Sequence, residues 1–476
     1  MTVLATLYAL ATFVLVAHGL RIGGLALARR RPPAPPASVP EAWPRVCVQL
    51  PVYNEPAVVE RAIAALGAMD YPAMELQVLD DSTDATTARA ARAVRQLRAR
   101  GVDAVHLRRD SREGFKAGAL ASGLAHTEAD LLAVFDADFV PHPDALRRLV
   151  APLVADPSLA FVQARWAHLN RETSGLTRAQ AALLDVHFAV EQAGRGRTGR
   201  FLPFNGTAGV WRREAIEAAG GWRGDTLAED LDLSLRAWAR GHRGAFVEGT
   251  PIPAELPAAW GAWRRQQARW AEGMAGVARL HLGRLLGAPQ PLRRRLRAAF
   301  ALTAPLAYPA LLVILLLHPV LVAAEALGVG PGPTFFAALN LGWTGLLGSV
   351  GAHVVAQRAV RPGVSPRRIV ADAALGLFAP VTLAWTGTRA VARGLAGRRT
   401  AFERTPKGGV REPVPVSRAD AALAAYTLVG TLVLAGVGAW VSVVFQAAFA
   451  AALGTAVWGT VRARGGRRAV TRPASV

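Results

Sequence analysis

Leu131-Leu132-Ala133-Val134-Phe135-Asp136-Ala137-Asp138 sets the frame for everything around it. Five apolar residues run straight into two acids one position apart. Such a run reads as a strand buried on both faces, with the carboxylates at its C-terminal edge. In open α/β sheets ligands bind beyond that edge. Two carboxylates so spaced can share a hard divalent cation, to which a diphosphate can add further oxygens. An isolated Asp-x-Asp is more often a pair of solvated loop acids, so the flanking segments decide.

Those segments alternate strand and helix. Val46-Cys47-Val48-Gln49-Leu50 is a strand ended by Pro51-Val52-Tyr53-Asn54-Glu55, and residues 56–69 have helical spacing. Leu76-Gln77-Val78-Leu79 is a second strand, ended by Asp80-Asp81-Ser82-Thr83-Asp84, with an Ala/Arg-rich helix over 85–100. A third strand covers 104–107, and Gly114-Phe115-Lys116-Ala117-Gly118-Ala119-Leu120 opens the next helix. This order predicts a largely parallel, doubly wound sheet with polar residues gathered at the strand C-termini, where a nucleotide would sit. Further on, Phe161-Val162-Gln163-Ala164-Arg165-Trp166 reads as a strand and 176–192 as helical. Phe204-Asn205-Gly206-Thr207-Ala208-Gly209 is a turn leading to Val210-Trp211, and a helix starts at Leu227-Ala228-Glu229-Asp230.

Around this α/β domain (45–297) the chain is apolar. Of 476 residues, 52% are hydrophobic, and the long apolar runs sit at the two ends. Residues 1–29 read as a membrane helix. Its positive charges follow the apolar run instead of preceding it, unlike a cleavable leader. Residues 30–44 form a Pro/Ala-rich linker. The region 298–476 is expected to carry a multi-span membrane portion with a cytoplasmic loop at 392–418, giving about five spans with that of residue 1–29. Residues 369–391, with basic flanks, Asp372 inside and Pro380 near the middle, read as a re-entrant or in-plane segment. The net charge is +21, and most of the excess Arg clusters beside apolar runs. That is the positive-inside pattern, and it places the α/β domain in the cytoplasm at an inner membrane. Aromatics are not interleaved with these clusters as base stacking requires, so no nucleic-acid partner is expected. The single Cys47 excludes an intrachain disulfide framework.

Six motifs then occur in an order that resembles the membrane-embedded family-2 glycosyltransferases. They are Pro51-Val52-Tyr53-Asn54-Glu55, Asp80-Asp81-Ser82, Lys116-Ala117-Gly118-Ala119-Leu120, Asp136-Ala137-Asp138, Glu229-Asp230 and Gln266-Gln267-Ala268-Arg269-Trp270. The stretch from 46 to about 270 is most similar to cellulose-synthase-like enzymes that build β-mannan or glucomannan backbones. The resemblance implies a GT-A fold, the nucleotide-diphospho-sugar transferase sheet. It also implies inverting transfer of a hexose from GDP-mannose or UDP-glucose to a glycan or lipid acceptor.

Roles follow from the same resemblance. Asp230 is the expected base, with Glu229 in support; Ala228 stands where the family has Thr, so any role of that hydroxyl is absent or filled by Thr226. Asp136 and Asp138 would hold Mg2+ or Mn2+. Tyr53, Glu55, Asp80, Asp81 and Lys116 would hold the nucleotide, and Gln266, Arg269 and Trp270 would meet phosphate and acceptor. Phe402-Glu403-Arg404-Thr405-Pro406-Lys407-Gly408 resembles a gating-loop motif, with Arg404 in place of Val. His187 and Glu191, one turn apart, read as a structural pair. Trp211, Trp222, Trp238 and Trp260 read as core or interface. Alternatives left open are single transfer to a lipid and a non-catalytic export component. Accessory subunits are undefined by the sequence, and membrane lipids are expected neighbours.

Overall fold

The computed structural model describes residues 1–33, 37–398, 400 and 417–468. Strands β1 (Val46–Val52), β2 (Met74–Asp80), β3 (Ala104–Arg108), β4 (Leu131–Val134), β5 (Leu159–His168), β6 (Gly209–Arg212) and β7 (Arg243–Ala254) form one sheet in the order β3-β2-β1-β4-β6-β5-β7. The first four are parallel. β6 then runs antiparallel between β4 and β5, while β5 and β7 pair in parallel. Since β2 and β4 lie on opposite sides of β1, the crevice between β1 and β4 is the point where the winding reverses, and the loops that follow these strands open into it.

Both faces of the sheet are covered. On one, Ile63 and Leu66 of helix Val59–Gly67, Val94 and Leu97 of Thr86–Arg98, and Leu146 and Leu149 of Ala145–Ala155 pack against Val48, Leu76 and Ala133. On the other, Leu120 of helix Phe115–Leu124 packs with Leu132, Phe161, Phe204 and Trp211. Each fully buried large apolar side chain contributes about 1.5–3 kcal/mol. β4 is buried at every position, as its unbroken apolar run requires.

β7 was not expected. It contains Gly244, Gly249, Pro251 and Pro253, which argue against a strand interior. The sheet order explains it: β7 is an edge strand, and its pairing with β5 shifts register between Ala164 and Arg165.

Among the described residues, six helical stretches are long and apolar enough to cross a membrane: Thr2–Ala28, Ala304–Ala326, Pro333–Val360, Pro366–Leu395, Arg418–Gly436 and Trp440–Arg462. The chain is a membrane protein on this evidence. The fourth stretch is interrupted by a 3-10 turn, Ala379–Leu383, around the Pro380 singled out in the sequence. Both of its ends touch the α/β domain. Asp372 pairs with Arg178 near the start, and Arg393 donates to Glu272 at 2.8 Å near the end.

Candidate active site

A cavity of about 540 Å³ opens at the β1/β4 crevice and runs toward the apolar helices. Tyr53, Glu55, Asp81, Lys116, Asp136, Asp138, Glu229, Asp230, Gln266, Arg269 and Trp270 all line it. Segments separated by more than 200 residues thus meet in one site.

The Asp-Ala-Asp turn is held from two sides. The Asp136 N–H donates to Thr207 Oγ1 (2.8 Å), and the Asp138 carbonyl accepts from Glu255 N–H (3.3 Å) at the end of β7. Lys116, in the first turn of its helix, reaches Asp136 Oδ1 at 2.5 Å and donates to the Gly206 carbonyl at 2.9 Å. Burial works to lower the Lys116 pKa, but Asp136, Glu229 and Asp230 outweigh it, so the ammonium is firmly charged. Lys116 thus ties three motifs together.

Asp230 sits in the first turn of helix Glu229–Ala239, with Oδ1 accepting its neighbour's Leu231 N–H at 2.8 Å. Burial, and then the charge of Glu229, push its pKa up to about 7. A carboxylate so poised can exchange a proton near neutral pH, which is what a general base requires. Arg269, on helix Trp260–Leu286, has its pKa lowered by burial against the pull of Glu229, Asp136, Glu55 and Asp138, which places a cation among four acids. Thr226 does not line the cavity; its hydroxyl accepts from Ala228 N–H (3.2 Å), so it braces the backbone ahead of Glu229.

Asp80 and Asp81, indistinguishable in the sequence, part company. Asp81 lines the cavity, its carboxylate gripped by Arg109 through Nε (2.9 Å) and a second guanidinium nitrogen (2.5 Å). The structure does not bring Asp80 to the cavity. It is the last residue of β2, 1% exposed, accepting from Ser82 N–H (2.8 Å) and meeting His106 Nε2 (2.9 Å). It braces the turn that presents Asp81.

Arg112 was missed from the sequence. Its guanidinium lies 3.3 Å from the Tyr53 ring centroid, and it lines the same cavity. Its place just beyond the C-terminal end of β3 was the available signal. Trp166, which the sequence places on a strand without a site role, lines the cavity in edge contact with Trp270 (6.5 Å between centroids). Trp211, Trp222 and Trp238 are buried in the core, as expected. The 402–408 motif lies outside the described residues.

Residues 44–273 match the family model described as "Glycosyltransferase like family 2". This segment is a family-2 glycosyltransferase domain. The glycosyltransferase domain is 44% identical over 243 residues to a probable glucomannan 4-beta-mannosyltransferase 7 of Oryza sativa subsp. japonica, covering 50% of this chain and 42% of that one. It is 41% identical over 251 residues to glucomannan 4-beta-mannosyltransferase 7 of Arabidopsis thaliana, covering 52% and 45%. The chain therefore spans about half the length of the curated relatives it matches. Among solved structures, a mannosyltransferase from Pyrobaculum calidifontis, in complex with GDP-Man and Mn2+, superposes with a TM-score of 0.58 at 20% identity over 82% of this chain and 99% of that one. The shared fold is GT-A, the expected class.

Proposed function

We propose that the protein is an inverting β-hexosyltransferase that draws on GDP-mannose and elongates a β-linked glycan at the membrane. The observation that carries this reading is the convergence of Asp230, Lys116 and the Asp-Ala-Asp turn in one cavity that runs from the nucleotide crevice to the apolar helices. GDP-mannose is favoured over UDP-glucose because the relatives named above are mannosyltransferases and the fold neighbour holds GDP-Man.

Inversion needs one in-line displacement at the anomeric carbon and no protein nucleophile. Asp230 takes the proton of the acceptor hydroxyl as the new bond forms. Lys116 and Arg269 face the leaving diphosphate and offset the charge that develops on it. Tyr53 and Arg112 flank the base, and Asp81, held by Arg109, accepts hydrogen bonds from the nucleoside. Asp136 and Asp138 would hold Mg2+ or Mn2+, which supplies further charge stabilisation to the diphosphate when bound. The donor set fits: both carboxylates follow β4 and line the cavity. Two carboxylates with diphosphate and water oxygens is the usual arrangement for such ions.

The proposed layout is that of the sequence reading: a first span in 1–29, a linker at 30–44, the catalytic domain 45–297 on the cytoplasmic side of an inner membrane, and a membrane region that lets the product leave. Contacts from both ends of Pro366–Leu395 to the catalytic domain support an in-plane or re-entrant segment. The test is label transfer by purified protein in lipid vesicles with GDP-mannose or UDP-glucose and Mn2+ or Mg2+. Long polymer from GDP-mannose, lost in Asp138→Asn, is the expected result. Label confined to lipid would replace polymerisation by single transfer, and polymer from UDP-glucose alone would overturn the donor.

A further inference from the structure

The helix that starts at Gly175 changes pitch. Residues Val186–Gln192 form a π-helix, a rare element that recurs at functional sites. His187, Phe188 and Glu191 from this segment line the cavity, together with Arg21 of the first apolar helix and Arg195.

The hydrogen bonds fix the polarity of this group. Gln192 Nε2 donates to the Pro203 carbonyl (2.8 Å), which orients its amide, and also to Asn205 Oδ1. Asn205 therefore turns Nδ2 toward His187 Nε2, 2.9 Å away. Because Nδ2 can only donate, His187 Nε2 accepts and its proton sits on Nδ1. Nδ1 lies 3.8 Å from Glu191 Oε2, too far for a direct hydrogen bond. Burial works to raise the Glu191 pKa, but Arg21 (3.0 Å), His187 and Arg195 (3.1 Å) hold it well below the usual range, so it stays ionised. The His187 N–H donor and the Glu191 carboxylate acceptor thus lie side by side, and one hydroxyl resting beside the pair can accept from the first and donate to the second.

An aromatic wall stands beside this pair. Trp270 is in ring contact with Trp166 (6.5 Å), Trp166 with Phe188 (4.8 Å), and Phe188 with His187 (4.9 Å). Flat aromatic faces beside fixed polar groups suit a pyranose, which presents apolar C–H faces and a hydroxyl rim. The pair lines the same cavity as the β1 and β4 loops and is tied to the first apolar helix through Arg21, 3.0 Å from Glu191. Asn205 precedes Gly206, at which an added Cβ would sit 3.0 Å from Asp230 Oδ2, so the group adjoins the base.

We infer that His187 and Glu191, with Asn205, form a subsite for a hydroxyl of the acceptor glycan. This rests on the transferase reading above. It takes a β-linked hexose oligomer, not the nucleotide.

The experiment is tryptophan fluorescence titration of the full-length protein in detergent with β-1,4-mannohexaose, and separately with GDP. His187→Ala should weaken hexaose binding about tenfold, the usual effect of one lost hydrogen bond, and leave the GDP affinity within twofold. His187→Gln, which keeps a donor, should recover part of the loss, and unchanged GDP binding certifies the fold. Unchanged hexaose binding in His187→Ala, or equal losses for GDP and hexaose, would overturn the inference. So would absence of hexaose binding in the unsubstituted protein. Hexaose binding that depends on His187 in a protein that transfers no sugar would sustain the subsite and refute the transferase reading instead.

Discussion

Replacing Gly206 by Ala asks whether the position of Asp230 matters. Gly206 has φ +79°, a conformation that costs an L-residue about 1–2 kcal/mol. Its new methyl would lie 3.0 Å from Asp230 Oδ2 and 3.6 Å from Lys116 Nζ, so the carboxylate must retreat by a few tenths of an ångström. Gly221 provides the matched control. Its φ is +73°, with no atom within 4 Å of an added Cβ. Gly221→Ala carries the same backbone strain without the displacement. Both variants should lose about 1–2 kcal/mol of stability and unfold a few degrees lower by thermal melting in detergent. Only Gly206→Ala should lose turnover, by roughly ten- to a hundredfold, as expected when a reacting group is misplaced by a fraction of an ångström. The assay is initial-rate transfer from labelled GDP-mannose at saturating donor. Full turnover in Gly206→Ala would show that Asp230 is not the base held by this loop. Equal losses in both variants would trace the effect to strain alone.

Four further outcomes are expected. The rate of transfer should climb with pH and level off above about 7, because Asp230 must lose its raised proton to act. Asp230→Asn should remove that rise along with roughly 100- to 10,000-fold of activity. The folded protein keeps this proton over a range where the unfolded chain has lost it, so ionising Asp230 opposes folding as pH rises. Asp230→Asn should therefore melt higher than the parent at pH 8, and the gap should close toward acid pH. Asp372→Asn should lower the melting temperature through loss of about 3 kcal/mol. Asp372 is fully buried, accepts from Arg178 Nε at 2.9 Å and also pairs with Arg361, and the change takes the counter-charge from Arg178 while Arg361 keeps Glu172 at 3.3 Å. A melting point within a degree of the parent would remove that network from the stability of the domain contact. Chelation with EDTA should abolish transfer and added Mn2+ should restore it; Asp138→Asn should need about tenfold more Mn2+ or remain inactive. Transfer that persists in EDTA would exclude the two-carboxylate metal site.

Local pattern carried much of this protein. Apolar runs broken by Asp-Asp, Asp-Ala-Asp and Pro-Val-Tyr-Asn-Glu mark strand ends, and every parallel strand delivers its C-terminus to the same edge. The motifs had to converge once the alternation of strand and helix was read. The apolar helices were equally plain, because span length is written in composition. Three things were settled by the fold instead. Asp80 and Asp81 are neighbours of identical chemistry; the pleat turns one toward His106 and the other toward the cavity. β7 carries glycines and prolines that give no strand signal, and its edge position spares half its hydrogen bonds. His187 and Glu191 look like an ordinary helical pair. A change of pitch, a glutamine that orients an asparagine, and an arginine from the first apolar helix give them a direction. Such polarity depends on residues 13 to 170 positions apart, and no local pattern records it.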